Sequence, residues 1–253
     1  MEIYLGNENQ KWFKPLIIAI LLLPAMVANG QSVSVKSDRP GQALNPNLIE
    51  TGFIQIQSGY QRFFNSSSSA SFQGHTHDFR FGLNDNWETG ASIYTSVIPN
   101  QTNVTTLVGQ VRRSLAANDA FEALAIQVAL PLQINPRDVN NTFNPMLKLS
   151  GSRAFNDKIG FTGNIALQGV DVTNNFSLTL PYVANLGWSF NSKLAVFIEH
   201  FGSLNNTGWQ ANADCGVSYL AHAKLQLDFT FGFTGINQTH TQSFMDTGIT
   251  FKI

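Results

Sequence analysis

Lys224-Leu225-Gln226-Leu227-Asp228-Phe229-Thr230-Phe231-Gly232-Phe233 alternates without a break. Leu225, Leu227, Phe229, Phe231 and Phe233 fall on one face of an extended chain, and Lys224, Gln226, Asp228, Thr230 and Gly232 on the other. That period-2 pattern is the signature of a β-strand with one apolar and one polar surface. Similar stripes run through Trp87, Ala91, Ile93 and Val97, and through Ala213, Cys215, Val217 and Tyr219. Extended outward, the pattern predicts strands at 51–60, 72–82, 87–97, 103–113, 121–130, 143–153, 158–168, 176–189, 193–201, 208–219, 224–234 and 243–253. Segments of about 9 to 11 residues suit a tilted crossing of a bilayer.

The connections predict the same architecture. Short ones, at Asn84-Asp85-Asn86, Asn118-Asp119, Asn156-Asp157, Asn191-Ser192 and Ala221-His222, alternate with longer polar stretches. The longer ones are Asn65 to Ser71, Pro99 to Asn103, Pro131 to Thr142, Val170 to Asn175, Ser203 to Thr207 and Gly235 to Gln242. Short turns at one rim and long loops at the other are the rhythm of a transmembrane barrel. The expected fold is all-β, a transmembrane antiparallel up-and-down barrel of about twelve strands in residues 51–253. Pro181 falls inside the eighth strand, where its missing N–H predicts a bulge or a late strand start.

Composition points the same way. Charged residues make up 12% of the chain, where about 25% is usual for a soluble domain, and twenty Phe are dispersed rather than gathered into one spanning helix. Lys11 and Lys14 precede an apolar run from Leu16 to Leu23 that ends in small residues at Ala28 and Gly30. Residues 1–30 therefore read as a signal peptide cleaved before Gln31, too short and too interrupted by Pro24 and Asn29 to be an anchor. The expected location is the bacterial outer membrane. Residues 31–50 would form a periplasmic leader or a small plug carrying Asp38 and Arg39. Cys215 is the only cysteine, so there is no disulfide framework, and a net charge of −1 offers nucleic acid no basic patch. An apolar stripe of Met245, Ile249, Phe251 and Ile253 runs to the last residue, a closing strand suited to the barrel-assembly machinery. The lipid of the outer membrane and an unknown small solute complete the expected partners.

Strand parity assigns Asp78, Arg80, Glu88 and Arg112 to one wall of the lumen and Glu199, Asp214, Lys224 and Asp228 to the facing wall. Functionally this is a polar solute pathway with a transverse field. Structurally it is a set of charges that must pair, because an unpaired charge in a dry wall is costly. Catalysis finds little support. His200 lies near Ser203 in sequence, but no Gly-x-Ser-x-Gly elbow or orienting third group accompanies them. His75-x-His77 puts two rings on one strand face with no third metal ligand. No catalytic residue, metal or cofactor is assigned.

Several stretches resemble a bacterial outer-membrane transporter-like family linked to the MetA pathway of phenol degradation. They are Ser37-Asp38-Arg39-Pro40-Gly41, Gly52-Phe53-Ile54-Gln55-Ile56-Gln57-Ser58-Gly59-Tyr60, Phe79-Arg80-Phe81-Gly82-Leu83, Phe197-Ile198-Glu199-His200-Phe201-Gly202 and Asp214-Cys215-Gly216-Val217-Ser218-Tyr219. Leu225-Gln226-Leu227-Asp228 and the stretch beyond it are similar as well. The resemblance implies a barrel channel for small solutes, including hydrophobic or aromatic ones, and supplies no catalytic residue. The competing expectations are a non-transporting structural or surface barrel plugged by its own side chains and, more remotely, an outer-membrane lipid hydrolase.

Overall fold

A strand in lipid has no water to satisfy its N–H and C=O groups, so a sheet can cross a membrane only if its edges meet. In the computed structural model, which describes residues 35–65, 72–97, 103–134, 141–172, 176–239 and 241–253, they do meet. The strands are β1 (Ile54–Asn65), β2 (Gln73–Asn84), β3 (Trp87–Val97), β4 (Val104–Leu115), β5 (Ala123–Ile134), β6 (Thr142–Phe143), β7 (Met146–Ala154), β8 (Ile159–Val170), β9 (Ser177–Ser189), β10 (Leu194–Asn205), β11 (Gly208–His222), β12 (Leu225–Thr234) and β13 (Gln242–Lys252). Apart from β6 and β7, chain neighbours pair antiparallel, and β1 closes the ring on β13 from Gln55↔Lys252 to Asn65↔Gln242. The two-residue β6 and β7 both pair with β5 and are separated only by Asn144-Pro145, so together they form one staved position of a twelve-strand barrel. Pro145 has no N–H to give to the ladder, which explains the break.

The two faces follow the alternation. Leu227, Phe229, Phe231 and Phe233 point outward and are exposed, while Asp228 and Thr230 between them are buried. On β1, Ile54 is outside while Gln55 and Gln57 are fully buried. Aromatic side chains gather towards the ends of the strands. Trp87 lies under the Arg113 guanidinium at 5.3 Å, and Trp188 stacks on Phe190 at 5.5 Å. An apolar band with aromatic rims is the surface that a bilayer wets.

All twelve expected segments form strands, with several differences in detail. β1 starts at Ile54 rather than residue 51: the Phe53 N–H turns back to the Glu50 carbonyl, and the exposed Thr51 makes only an isolated bridge to Gly82. β10 continues to Asn205 and β11 starts at Gly208, so the expected Ser203 to Thr207 loop is only the turn Asn206-Thr207. The supposedly short Asn118-Asp119 connection spans 116–122. The turn placed at Ala221-His222 lies at Ala223-Lys224, after a register shift between Leu220 and His222. Pro181 causes neither a bulge nor a late start. β9 runs through it and keeps its pairing to β10 at Ser203↔Pro181, while the β8 ladder omits the pairs at Ala166 and Leu167. The leader expected at residues 1–30 lies outside the described residues, as do 66–71, 98–102, 135–140 and 173–175 within the expected loops.

Candidate functional site

The chain ahead of β1 does not leave the barrel. Pro40, Gly41 and Pro46 keep residues 35–50 out of regular structure, and every backbone group buried in this way needs a partner. Side chains of the wall supply them. The Lys36 N–H donates to Gln55 Oε1 and Gln55 Nε2 donates back to the Lys36 carbonyl, both at 3.0 Å. Asn164 makes the same two-way clasp on Leu44, at 2.7 and 3.0 Å. The Ile49 N–H donates to Glu88 Oε2 at 2.8 Å. Wall residues on β1, β3 and β8 thus hold the segment along its length, and Leu48 and Ile49 are buried.

Its two adjacent charges reach opposite ways. Asp38 accepts from Arg112 at 2.5 and 3.1 Å and lies 3.2 Å from Arg80 Nη1. Arg80 is also gripped by Glu88 through Nε at 2.6 Å and Nη2 at 2.8 Å. Arg39 donates to Asp228 at 3.0 and 3.2 Å and to Asp246. The basic wall and the acidic wall therefore pair with the inner segment rather than with each other. Burial alone would raise the Asp38 pKa, but the guanidinium groups of Arg112 and Arg80 outweigh it and hold the carboxyl below its ordinary range. Burial would likewise lower Arg39, and Asp228 and Asp246 more than offset this, so its pKa rises and its charge is permanent.

The sign of the Asp38 shift sets a pH dependence. A carboxyl with a lowered folded-state pKa contributes stability above its unfolded pKa and loses it only as pH falls through the folded value. The stability lost in Asp38→Asn is therefore expected to stay constant from neutral pH down to about pH 4 and to vanish below it. Denaturant titrations of both proteins across that range would show this, and a difference already shrinking at pH 6 would contradict it.

Glycine shapes the seat of each charge. Gly59 and Gly248 face each other across β1 and β13, and a Cβ on either would collide with the Arg39 guanidinium. Gly41 has a φ of 85°, which side chains rarely adopt, and a Cβ there would stand 2.6 Å from the Glu199 carboxylate. That carboxylate accepts from the N–H groups of Gln42 and Ala43 at 2.6 and 3.0 Å, and from Asn185 at 2.8 Å. Asp214, opposite Glu199 in the β10–β11 ladder, is buried with neither oxygen hydrogen-bonded.

Of the residues assigned to the lumen by parity, Arg80, Glu88, Arg112, Glu199, Asp214 and Asp228 are buried inside the ring, and Asp78 faces a cavity there. Lys224 is a correction: it is exposed in the β11–β12 turn with its ammonium 5.9 Å from the Phe53 ring. It lies in the turn ahead of β12, so the alternation that placed it inside does not reach it. Asp246 and Lys148 face the lumen and were missed. The outward stripe at Met245, Ile249 and Phe251 already implied an inward Asp246, but polarity alone did not say that a partner would come from Arg39.

The inner segment separates two cavities, of about 480 and 290 Å³, and both are bordered by Asp38 and Arg39. His75, His77 and His200 lie on the outer wall. His75 packs on Tyr60 at 5.3 Å, and His77 Nδ1 is 3.0 Å from Ser58 Oγ. His200 sits between Tyr182 and Trp209, on the opposite face of β10 from Ser203. Among the described residues, no three His, Cys, Asp or Glu side chains are grouped to hold a metal.

No family model and no curated protein sequence matches this chain. Solved structures do. The COG4313 outer membrane channel from Pseudomonas putida F1 superposes with a TM-score of 0.64 at 13% identity, over 85% of this chain and 99% of that one. The KdgM porin gives 0.55 at 11% identity, over 78% and 98%, and the NanC porin 0.53 at 13%, over 79% and 100%. With the closed ring, apolar belt and aromatic rims, these likenesses establish that the chain has the fold of the bacterial outer-membrane β-barrel channels.

Proposed function

We propose that this protein is an outer-membrane channel for small solutes whose lumen is held shut by residues 35–50, with Asp38 and Arg39 as the latch. The observation that carries this reading is the pair of oppositely directed ion pairs, Asp38 to Arg80 and Arg112, and Arg39 to Asp228 and Asp246. A barrel packed solid by its own wall would need neither the segment nor the cavities beside it. In this reading the short-turn rim and both ends of the barrel face the periplasm, and β13 carries the assembly signal. The lining is polar and charged, which favours hydrophilic solutes in the lumen over the hydrophobic or aromatic ones that the family resemblance implies. One neighbour of this fold, the KdgM porin, has been solved in complex with disordered oligogalacturonate, a polar saccharide.

Planar-bilayer recordings test the proposal. The full chain is expected to conduct rarely, and a variant lacking residues 35–50 to conduct steadily, because the vacated charges become solvated walls. A deletion variant that folds, inserts and stays silent would favour the non-transporting barrel instead. Orientation has its own test: a protease site within Pro131 to Thr142 is expected to be cut on intact cells, and one at Asn156-Asp157 spared. Equal cutting would reverse or void the orientation.

A further inference from the structure

The larger cavity is bounded by β1 to β5, β7 and β13 on the wall side and by Gly41 and Gln42 on the segment side. Nearly every charge that borders it is already engaged. Arg112 is held by Asp38, Arg39 by Asp228 and Asp246, and Asp78 accepts from the Tyr94 hydroxyl at 3.2 Å. Lys148, which lines the cavity, is the exception: among the described residues no carboxylate stands at ion-pair distance from it and no hydrogen bond is made to it, and Asp38 and Arg112 act on its charge only from further off. It stands next to Gln127 in the β5–β7 register. Gln127 gives its amide N–H to Gln110, yet its Oε1 is buried against the cavity with no donor.

We infer that this cavity is a binding site for a small hydroxylated monocarboxylate, with Lys148 receiving the carboxylate and Gln127 Oε1 accepting from a neighbouring hydroxyl. An ammonium and an amide carbonyl left without partners in a low-dielectric pocket each favour a ligand that completes them, and an apolar solute would complete neither. A cation would meet the Lys148 charge directly. Asp78 lies on β2, well round the ring from β7, and keeps the far side of the cavity acidic, so a second carboxylate on the ligand is repelled. The volume of about 480 Å³ lies within the range of small-molecule pockets and excludes long chains. The inference deepens the channel reading and rests on it for the solute's destination, but not for its binding.

Calorimetric titration of the full chain in detergent micelles tests it with three probes: gluconate, its neutral counterpart sorbitol, and the dicarboxylate glucarate. Gluconate is expected to bind at least about tenfold more tightly than either of the others, a ratio in keeping with one charge-assisted hydrogen bond. Lys148→Gln is expected to remove that preference while leaving thermal unfolding and the weak sorbitol response unchanged, and Lys148→Arg to restore it. Failure of gluconate to bind the native protein, equal binding of gluconate and sorbitol, or an unchanged preference in Lys148→Gln would each overturn the site. Gluconate binding to a barrel that never conducts, even without residues 35–50, would leave the site standing and remove the channel. Conduction without any gluconate preference would do the reverse.

Discussion

Exchanging the latch residues, Asp38→Arg together with Arg39→Asp, is expected to drive residues 35–50 out of the lumen. The exchange leaves composition and the net charge of −1 unchanged, so any effect comes from placement alone. The new Arg would face Arg80 and Arg112, and the new Asp would face Asp228 and Asp246. Losing one partner of a buried ion pair costs about 3 to 5 kcal/mol, and here both pairs are lost and two like-charge contacts replace them. The centre of the segment then keeps only hydrogen bonds to its backbone, those of the Gln42 and Ala43 N–H groups to Glu199 among them. The clasps at Gln55 and Asn164 are neutral hydrogen bonds worth about 0.5 to 1.5 kcal/mol each and those at Glu88 and Glu199 about 1.5 to 3, so the repulsion at residues 38 and 39 competes with hydrogen bonds alone. Two measurements read the result: proteolytic cleavage within residues 35–50 of the folded barrel, and the open fraction in single-channel recordings. Both are expected to rise steeply. A swapped protein as resistant to cleavage as the native one would show that the latch is not electrostatic.

The wall of this barrel was legible residue by residue, while of its contents only a leader or plug with Asp38 and Arg39 could be named and not its partners, for a physical reason. Alternation is a local property, so β12 could be read from Leu225 to Phe233 alone, and the inward parity of Arg80, Glu88 and Asp228 came with it. Errors arose where alternation is interrupted. The register shift between Leu220 and His222 moved the turn and put Lys224 at the rim, and strands that run past the bilayer shortened one loop to Asn206-Thr207. Pro181 looked like a breaker but faces a site where only the β8 ladder has to give way. The pairing of Arg39 with Asp228 and Asp246 spans sequence separations of 189 and 207, and nothing local encodes it. Its clearest trace in the sequence is indirect: Gly59 and Gly248 leave room on facing strands, which only the β1–β13 register makes meaningful. Alternation left open whether the charged walls face a passage or pair with something for the same reason, since what stands between them, the segment expected as a leader or small plug with Asp38 and Arg39, has no period of its own.

Replacing Phe229 by Arg is expected to destabilise the barrel in lipid by about 2 to 4 kcal/mol, the cost of an Arg on the lipid face near the bilayer midplane. Phe229 lies midway along β12, exposed, opposite Val217 on β11 and Thr247 on β13. Nothing polar on those neighbours offers a guanidinium more than one hydroxyl, and snorkelling from mid-strand to either rim is too far for one side chain. Phe233 supplies the control because it shares the strand and the face but lies next to the strand end at Thr234. There the side chain can reach the headgroups, and the same substitution should cost about 0 to 1 kcal/mol. Thr230 would not serve as the control, since it is sealed inside the ring at 1% exposure, and an Arg there would displace the packed interior. The difference between Phe229→Arg and Phe233→Arg thus isolates depth from face. Reversible unfolding from lipid vesicles measures both, and equal costs at the two positions would mean that β12 does not cross the membrane with Phe229 at its centre.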